Sequence, residues 1–263
     1  MILNSVDEVF SKIKVDDFRD ITLSVDPDNS ERLVAEWINK NPGLKSLQER
    51  WEMSLDNLPD YTVYNESIYL NETFLCWKVY SRRYLMLLRK WLNQYDCPIH
   101  ANDVQNVLDL GCGLALTTVG LKSLFPNAEI YGTNEKDSVQ IKFDKIITEP
   151  FKDIHIISDN FGLSEHMDIV FASEFFEHIQ SPIEFLHKVL VQYKPKYMIF
   201  ANTFTQMAIG HFNEYIVGDN KVSGEEVSRI FTKTLQANGY RKVQTDFFNN
   251  RPNIYKLERS KLF

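Results

Sequence analysis

The chain has 263 residues, 44% of them hydrophobic and 25% charged, with 29 Lys+Arg against 36 Asp+Glu and a formal charge of −7. This composition belongs to a folded globular protein and excludes a disordered or collagen-like chain; at this length roughly three quarters of the extended surface is buried, enough for a full core and a smaller lobe. The acidic balance argues against a protein whose task is to grip a phosphate backbone, and so against a nucleic-acid partner. Three cysteines, Cys76, Cys97 and Cys112, are an odd number without CxxC spacing, which suits a reducing compartment and speaks against a thiolate metal site. The first ten residues, MILNSVDEVF, are acidic where a signal peptide would be basic, and no apolar run reaches about 18 residues. The expectation is a soluble cytoplasmic protein with no membrane partner; the oligomeric state is left open.

The first hundred residues carry all four tryptophans and read as helical. Asp28-Asn29-Ser30 caps a predicted helix over 31–40, stopped by Asn41-Pro42-Gly43. A longer helix is predicted over 66–95, where Trp77, Tyr80, Tyr84, Leu87, Leu88 and Trp91 recur at spacings of three and four. Leu58-Pro59-Asp60 between them is a turn signal.

After Ala101-Asn102-Asp103 the pattern changes. Short apolar strands are predicted at 104–110, 128–132, 154–158, 168–173 and 197–202, separated by helices over 115–125, 137–148 and 182–193. Strands alternating with helices imply βαβ units and a parallel sheet. The tail adds a helix over 224–237, stopped by Asn238-Gly239, then strands at 241–248 and 254–259 joined by a turn at 249–253. The expected fold is a doubly wound, Rossmann-like, mostly parallel seven-stranded α/β sheet ending in an antiparallel strand pair. A helical N-terminal cap (1–100) would precede this core (101–263), with 203–222 inserted on the acceptor side.

Ligands of open α/β sheets bind beyond the carboxyl ends of the strands, where strand order reverses. The first strand runs into Leu108-Asp109-Leu110-Gly111-Cys112-Gly113, whose glycines allow a tight turn and close backbone approach. The second ends in Thr133-Asn134-Glu135, placing a carboxylate about twenty residues past the glycines, where a ribose would lie. The third ends in Ser158-Asp159-Asn160-Phe161, suited to an adenine edge and face. The fourth ends in Ser173-Glu174-Phe175-Phe176-Glu177-His178-Ile179. Four consecutive strand ends with polar groups are far more specific than a lone GxG.

At these residues the chain resembles the class I S-adenosylmethionine-dependent methyltransferases. Val107 to Gly113 is similar to their first motif, and Ser173 to Ile179, with Phe185-Leu186 and Tyr193-Lys194-Pro195, resembles their small-molecule branch. The resemblance covers about residues 104 to 260 and implies S-adenosyl-L-methionine as cofactor and S-adenosyl-L-homocysteine as product. It implies that Asp109, Gly111, Cys112 and Gly113 surround the methionine moiety, with Asp109 near its ammonium. Asp159 and Asn160 would meet the adenine, and Glu174 and His178 would line the floor between cofactor and acceptor. Asn134 and Glu135 both stand where the ribose carboxylate belongs, and Ala115 replaces the family's third glycine. A nicotinamide dehydrogenase shares the expected fold, but its fingerprint needs glycine where Leu116 stands, and it gives no reason for the segment after the fourth strand.

Enzymes of this kind that methylate nucleobase or glutamine nitrogen carry an Asn/Asp-Pro-Pro-Tyr-like segment where this chain has Ser173-Glu174-Phe175-Phe176. A small polar acceptor methylated on oxygen is therefore expected, such as a sugar or a phosphorylated or carboxylated compound. Such a hydroxyl wants a base, and His178 and His211 are the candidates, with Glu214 and Tyr215 beside the second. Tyr64, Tyr69, Trp77 and Tyr80 could line the acceptor site, and Arg82 or Arg83 could hold an anionic group. No metal is expected, because the remaining histidines share no ligand spacing. A macromolecular acceptor, tRNA or protein, and a non-catalytic adenosyl-binding subunit are the alternatives.

Overall fold

A computed structural model describes residues 42–258, apart from 67, 159, 164–165 and 248–250. The predicted helix over 31–40, Asp159 and residues 249–250 of the predicted turn at 249–253 lie outside the described residues.

Nine strands and seven α-helices are described. In chain order these are α1 (Pro42–Ser54), α2 (Tyr69–Cys76), α3 (Arg82–Leu92), β1 (Asn106–Leu110), α4 (Leu116–Leu124), β2 (Glu129–Thr133), α5 (Ile141–Thr148) and β3 (Ile154–Ile157). Then follow β4 (Ile169–Ser173), α6 (Pro182–Tyr193), β5 (Tyr197–Ala201), β6 (Glu214–Val217), β7 (Asn220–Ser223), α7 (Gly224–Ala237), β8 (Tyr240–Lys242) and β9 (Asn253–Leu257). Seven strands form one sheet in the order β3-β2-β1-β4-β5-β9-β8, parallel through β5 and antiparallel at β9 and β8. The order reverses between β1 and β4, so their carboxyl ends open a crevice there.

Successive strand residues point to opposite faces, and both faces are covered, so the strands read as continuous apolar runs. Val107, Ile130, Ile169, Phe171 and Ile199 pack with Leu85, Leu88, Val119, Leu121 and Ile147 from α3, α4 and α5. Leu108, Leu110, Val170, Met198 and Phe200 face the other way, toward Leu186, Val189, Phe231 and Leu235 from α6 and α7. Leu44, Leu47 and Trp51, the apolar stripe of α1, join that second core. The N-terminal helices are thus built into both layers.

Four local expectations change. Pro42-Gly43, expected only to end a helix, opens α1, because proline is tolerated at the first helical position, where its missing N–H has no partner to lose. The helix over 66–95 begins at Tyr69 and is interrupted by a π-turn at Trp77–Ser81. Within 203–222 the chain forms a hairpin, β6 with β7, across Gly218-Asp219, a two-residue glycine turn. The strand expected at 241–248 is three residues, Tyr240–Lys242.

Gly224 opens α7 with Ser223 as cap, its hydroxyl accepting from the Glu226 amide. A Cβ on Gly224 would lie 2.0 Å from the Phe204 carbonyl oxygen and 2.7 Å from its carbon. Backbone atoms cannot swing aside, so Gly224→Ala is expected to destabilise the fold by roughly 1–3 kcal/mol, read as a lower denaturant midpoint with an unchanged m-value.

Candidate active site

The turn after β1 holds Gly111, Gly113 and Ala115 at φ 67°, 58° and 55°. Glycine carries the first two without cost, whereas Ala115 accepts left-handed strain of about 1 kcal/mol. Thr133, at the end of β2, anchors the turn: its hydroxyl accepts from the Gly111 amide at 3.0 Å and its carbonyl from the Cys112 amide at 2.8 Å. Asn134 braces the turn from outside. Its amide group donates to the Gly113 carbonyl at 2.8 Å and to Asp144 Oδ2 at 2.7 Å, and its Oδ1 accepts from the Glu135 amide.

The two ribose candidates differ in their surroundings. Both line the cavity, but both amide hydrogens of Asn134 are taken by the protein, while Glu135 is exposed. Asp109 is 1% exposed and does not line the cavity; its carboxylate accepts from Thr118 Oγ1 at 2.8 Å, on the side facing α4. In this arrangement Asp109 supports the turn from behind.

A cavity of about 940 Å³ opens over this edge of the sheet. One end is lined by Gly111, Cys112, Gly113, Glu135 and Asn160, the other by Glu174, His178 and His211. Asn160 Oδ1 is buried there without a hydrogen-bond partner. Tyr64, Tyr69, Trp77 and Tyr80 line the cavity. Arg82 and Arg83 are not among the lining residues. Glu214 stands exposed beside Lys221, 3.5 Å away, and Tyr215 is buried against Phe204 and Phe212, its hydroxyl donating to the Glu177 carbonyl. Neither of these last two reaches the cavity.

The end of β4 is strained. Glu174 has φ 51° while its amide still donates to the Ala201 carbonyl, so the strand pairing extends one residue as the backbone turns. Its carboxylate accepts from Tyr84 Oη at 3.2 Å, and Ser81 and Ser173 hydroxyls meet at 2.9 Å, tying the helical roof to this strand end. Glu177, three residues on, is fully buried, and desolvation, with the neighbouring Glu174 charge, raises its carboxyl well above the usual carboxylate range.

His178 and His211 face each other edge to face, with ring centres 4.7 Å apart. His211 Nδ1 lies 2.8 Å from the Gln206 carbonyl, which can only accept, so Nδ1 carries the proton and Nε2 keeps its lone pair. Burial pushes the His211 pKa down to about 4. His178 is lowered as well, by burial and then by His211; its Nδ1 meets Tyr64 Oη at 3.1 Å. Trp51 Nε1 donates to the His211 carbonyl at 2.6 Å, so α1 positions this histidine.

Three contributors escaped the sequence reading. Thr133 ends an ordinary strand, and Trp51 is one of four tryptophans in a helical region. Gly210, at φ 86°, shows its role only in three dimensions: a Cβ there would lie 2.2 Å from Tyr64 Oη and 2.4 Å from His178 Nδ1.

No protein-family model and no curated protein matches the chain. Among solved structures, the CurJ carbon methyltransferase superposes on 98% of this chain and 80% of its own, with a TM-score of 0.56 at 10% identity. A SAM-dependent methyltransferase from Aquifex aeolicus matches 66% of this chain and 89% of its own (TM-score 0.43, 15% identity). The small RNA methyltransferase HEN1 matches 70% of this chain and 26% of its own (TM-score 0.48, 16% identity). The strand order and the first of these likenesses show that the chain has the class I methyltransferase fold.

Two predictions follow from this geometry. Gly210→Ala is expected to part Tyr64 from His178 and lower catalytic turnover at least tenfold, with the far-UV spectrum unchanged. Asp109, Asp144 and Glu72 have carboxyls raised by burial to about 7, about 8 and about 8. An acid whose folded pKa is raised binds its proton more tightly when folded, so its stabilisation is lost as pH rises from the ordinary carboxylate range near 4 toward 8. Above about pH 6.5 the buried histidines no longer contribute. The thermal midpoint is therefore expected to fall between about pH 6.5 and 9, and Asp144→Asn to flatten that fall, measured by calorimetry across pH.

Proposed function

We propose that this chain is an S-adenosylmethionine-dependent methyltransferase that methylates an oxygen of a small acceptor enclosed beneath the N-terminal helices. The observation that carries this reading is the cavity: it joins the glycine turn, Glu135 and Asn160 to the histidine pair in one space. Its volume lies at the upper end of the ~300–1,000 Å³ of ligand pockets, room for a nucleoside cofactor and a small acceptor together.

The residues fit that cofactor. The glycine turn offers backbone without side chains, the Glu135 carboxylate can accept from two ribose hydroxyls, and the partnerless Asn160 Oδ1 can accept from an adenine amine. The cofactor, when bound, supplies a methyl group already activated on a sulfonium. The protein's share is alignment and exclusion of water, worth roughly 7–11 kcal/mol. His211 Nε2 takes the acceptor proton, since Nδ1 is held by Gln206, and His178 with Tyr64 fixes the wall beside it. The absence of any Lys or Arg among the described lining residues disfavours a nucleic-acid acceptor.

Calorimetry with S-adenosylmethionine and S-adenosylhomocysteine tests the reading: both are expected to bind, and failure of both at millimolar concentration overturns it. Glu135→Ala should weaken each at least tenfold. His211→Ala should leave binding within about threefold and lower turnover by ~10²–10⁴-fold. The acid limb of kcat/KM should lie near pH 4, because the base is lost only when His211 is protonated. Full activity in the His211 variant would remove it as the base. The same base could serve a carbon acid, and NMR of the methylated product distinguishes O-methyl from C-methyl.

A further inference from the structure

Glu72 has no part in the chemistry above. It sits on α2, 5% exposed, and lines the cavity beside Tyr64, Tyr69, Thr73 and Cys76. Among the described residues nothing donates a hydrogen bond to its carboxyl and no cation pairs with it. The other acids of the wall are placed differently. Glu174 is engaged by Tyr84, and Glu135 and Asp137 lie on the exposed rim after β2. Burying a carboxyl this deeply without a partner is costly, and a cationic ligand removes that cost.

The surroundings suit the same ligand. Tyr64 and Tyr69 meet edge to face with ring centres 5.1 Å apart, and Tyr61 stacks on Tyr64 at 6.5 Å. Tyrosine faces attract an ammonium through the ring quadrupole, most strongly in a desolvated site. The described lining holds four carboxylic acids, Glu72, Glu135, Asp137 and Glu174, and no lysine or arginine. An anionic acceptor would meet no lysine or arginine on this lining.

We infer that the acceptor end of the cavity takes a molecule bearing a protonated amine, held by the Glu72 carboxylate against the tyrosine faces. This deepens the methyl-transfer reading by naming the acceptor class, and replaces the expected phosphorylated or carboxylated compound. The groups facing Glu72 are Tyr64, Tyr69 and Cys76, all pushed up by burial and neutral at pH 7, so Glu72 alone among them titrates near neutrality.

The test uses three probes of one shape: tyramine, neutral 4-hydroxybenzyl alcohol and anionic 4-hydroxyphenylacetate. Each is titrated calorimetrically into the full chain, with and without saturating S-adenosylhomocysteine. Tyramine is expected to bind at least tenfold more tightly than either of the others. Glu72→Gln should erase that advantage while changing the affinity for S-adenosylhomocysteine less than about threefold. Equal affinities, a reversed order or no binding of tyramine at tens of millimolar overturns the inference. So does a Glu72→Gln variant that loses S-adenosylhomocysteine instead, since Glu72 would then serve the cofactor's ammonium. Failure of S-adenosylhomocysteine to bind overturns methyl transfer alone, because the probe order is also read without it. Should Glu72→Gln fail to fold, the wild-type proton count decides. A cation drives the proton off Glu72, so tyramine binding at pH 7 should release close to one proton, visible in buffers of different ionisation enthalpy; no release overturns the inference.

Discussion

The site depends on one turn. Between β1 and α4 the backbone takes positive φ at Gly111, Gly113 and Ala115; the Ala115 amide donates to the Cys112 carbonyl within the turn, and other groups are answered from outside it. Thr133 answers two of those groups, Asn134 a third, and Asp144 holds Asn134 in turn. Asp109 and Thr118 close the arrangement from beneath. With its polar groups answered from behind, the turn presents bare backbone to the cavity.

The second half of the site is assembled on this frame by distant parts of the chain. Trp51 reaches the His211 carbonyl, Ser81 meets Ser173, and Tyr84 meets Glu174, so the roof is pinned to the β5–β6 connection and to the end of β4. The roof also covers the side chains beneath it, and that desolvation lowers the pKa of both histidines and raises those of Glu72 and Glu177.

Much of the core was legible in the sequence because its signals are local. Helices α6 and α7 run over the predicted 182–193 and 224–237, since Pro182 and Ser223 start them and Lys194 and Asn238-Gly239 stop them. The strand ends that line the cavity were legible for the same reason: apolar runs end abruptly in polar residues. What was not legible is relational. Asn134 and Glu135 are adjacent and similar, and only the partners of the Asn134 amide tell them apart. Glu72 lies in a helical stretch where an acid usually faces water, and its burial follows from how α2 packs on the glycine turn, with Thr73 beside Gly113. Pro42 and Gly218-Asp219 carried usable signals, a helix start and a hairpin turn, that composition alone does not rank.

The π-turn at Trp77–Ser81 is one residue longer per turn than the helices on either side. It is therefore a one-residue insertion folded into a continuous rod. Each helical residue rotates the rod by about 100°, so the extra one sets α2 and α3 out of phase. Upstream, Glu72, Thr73 and Cys76 look into the cavity; downstream, Leu85, Leu88 and Trp91 look into the core. An insertion so placed separates two tasks that a plain helix would bind together.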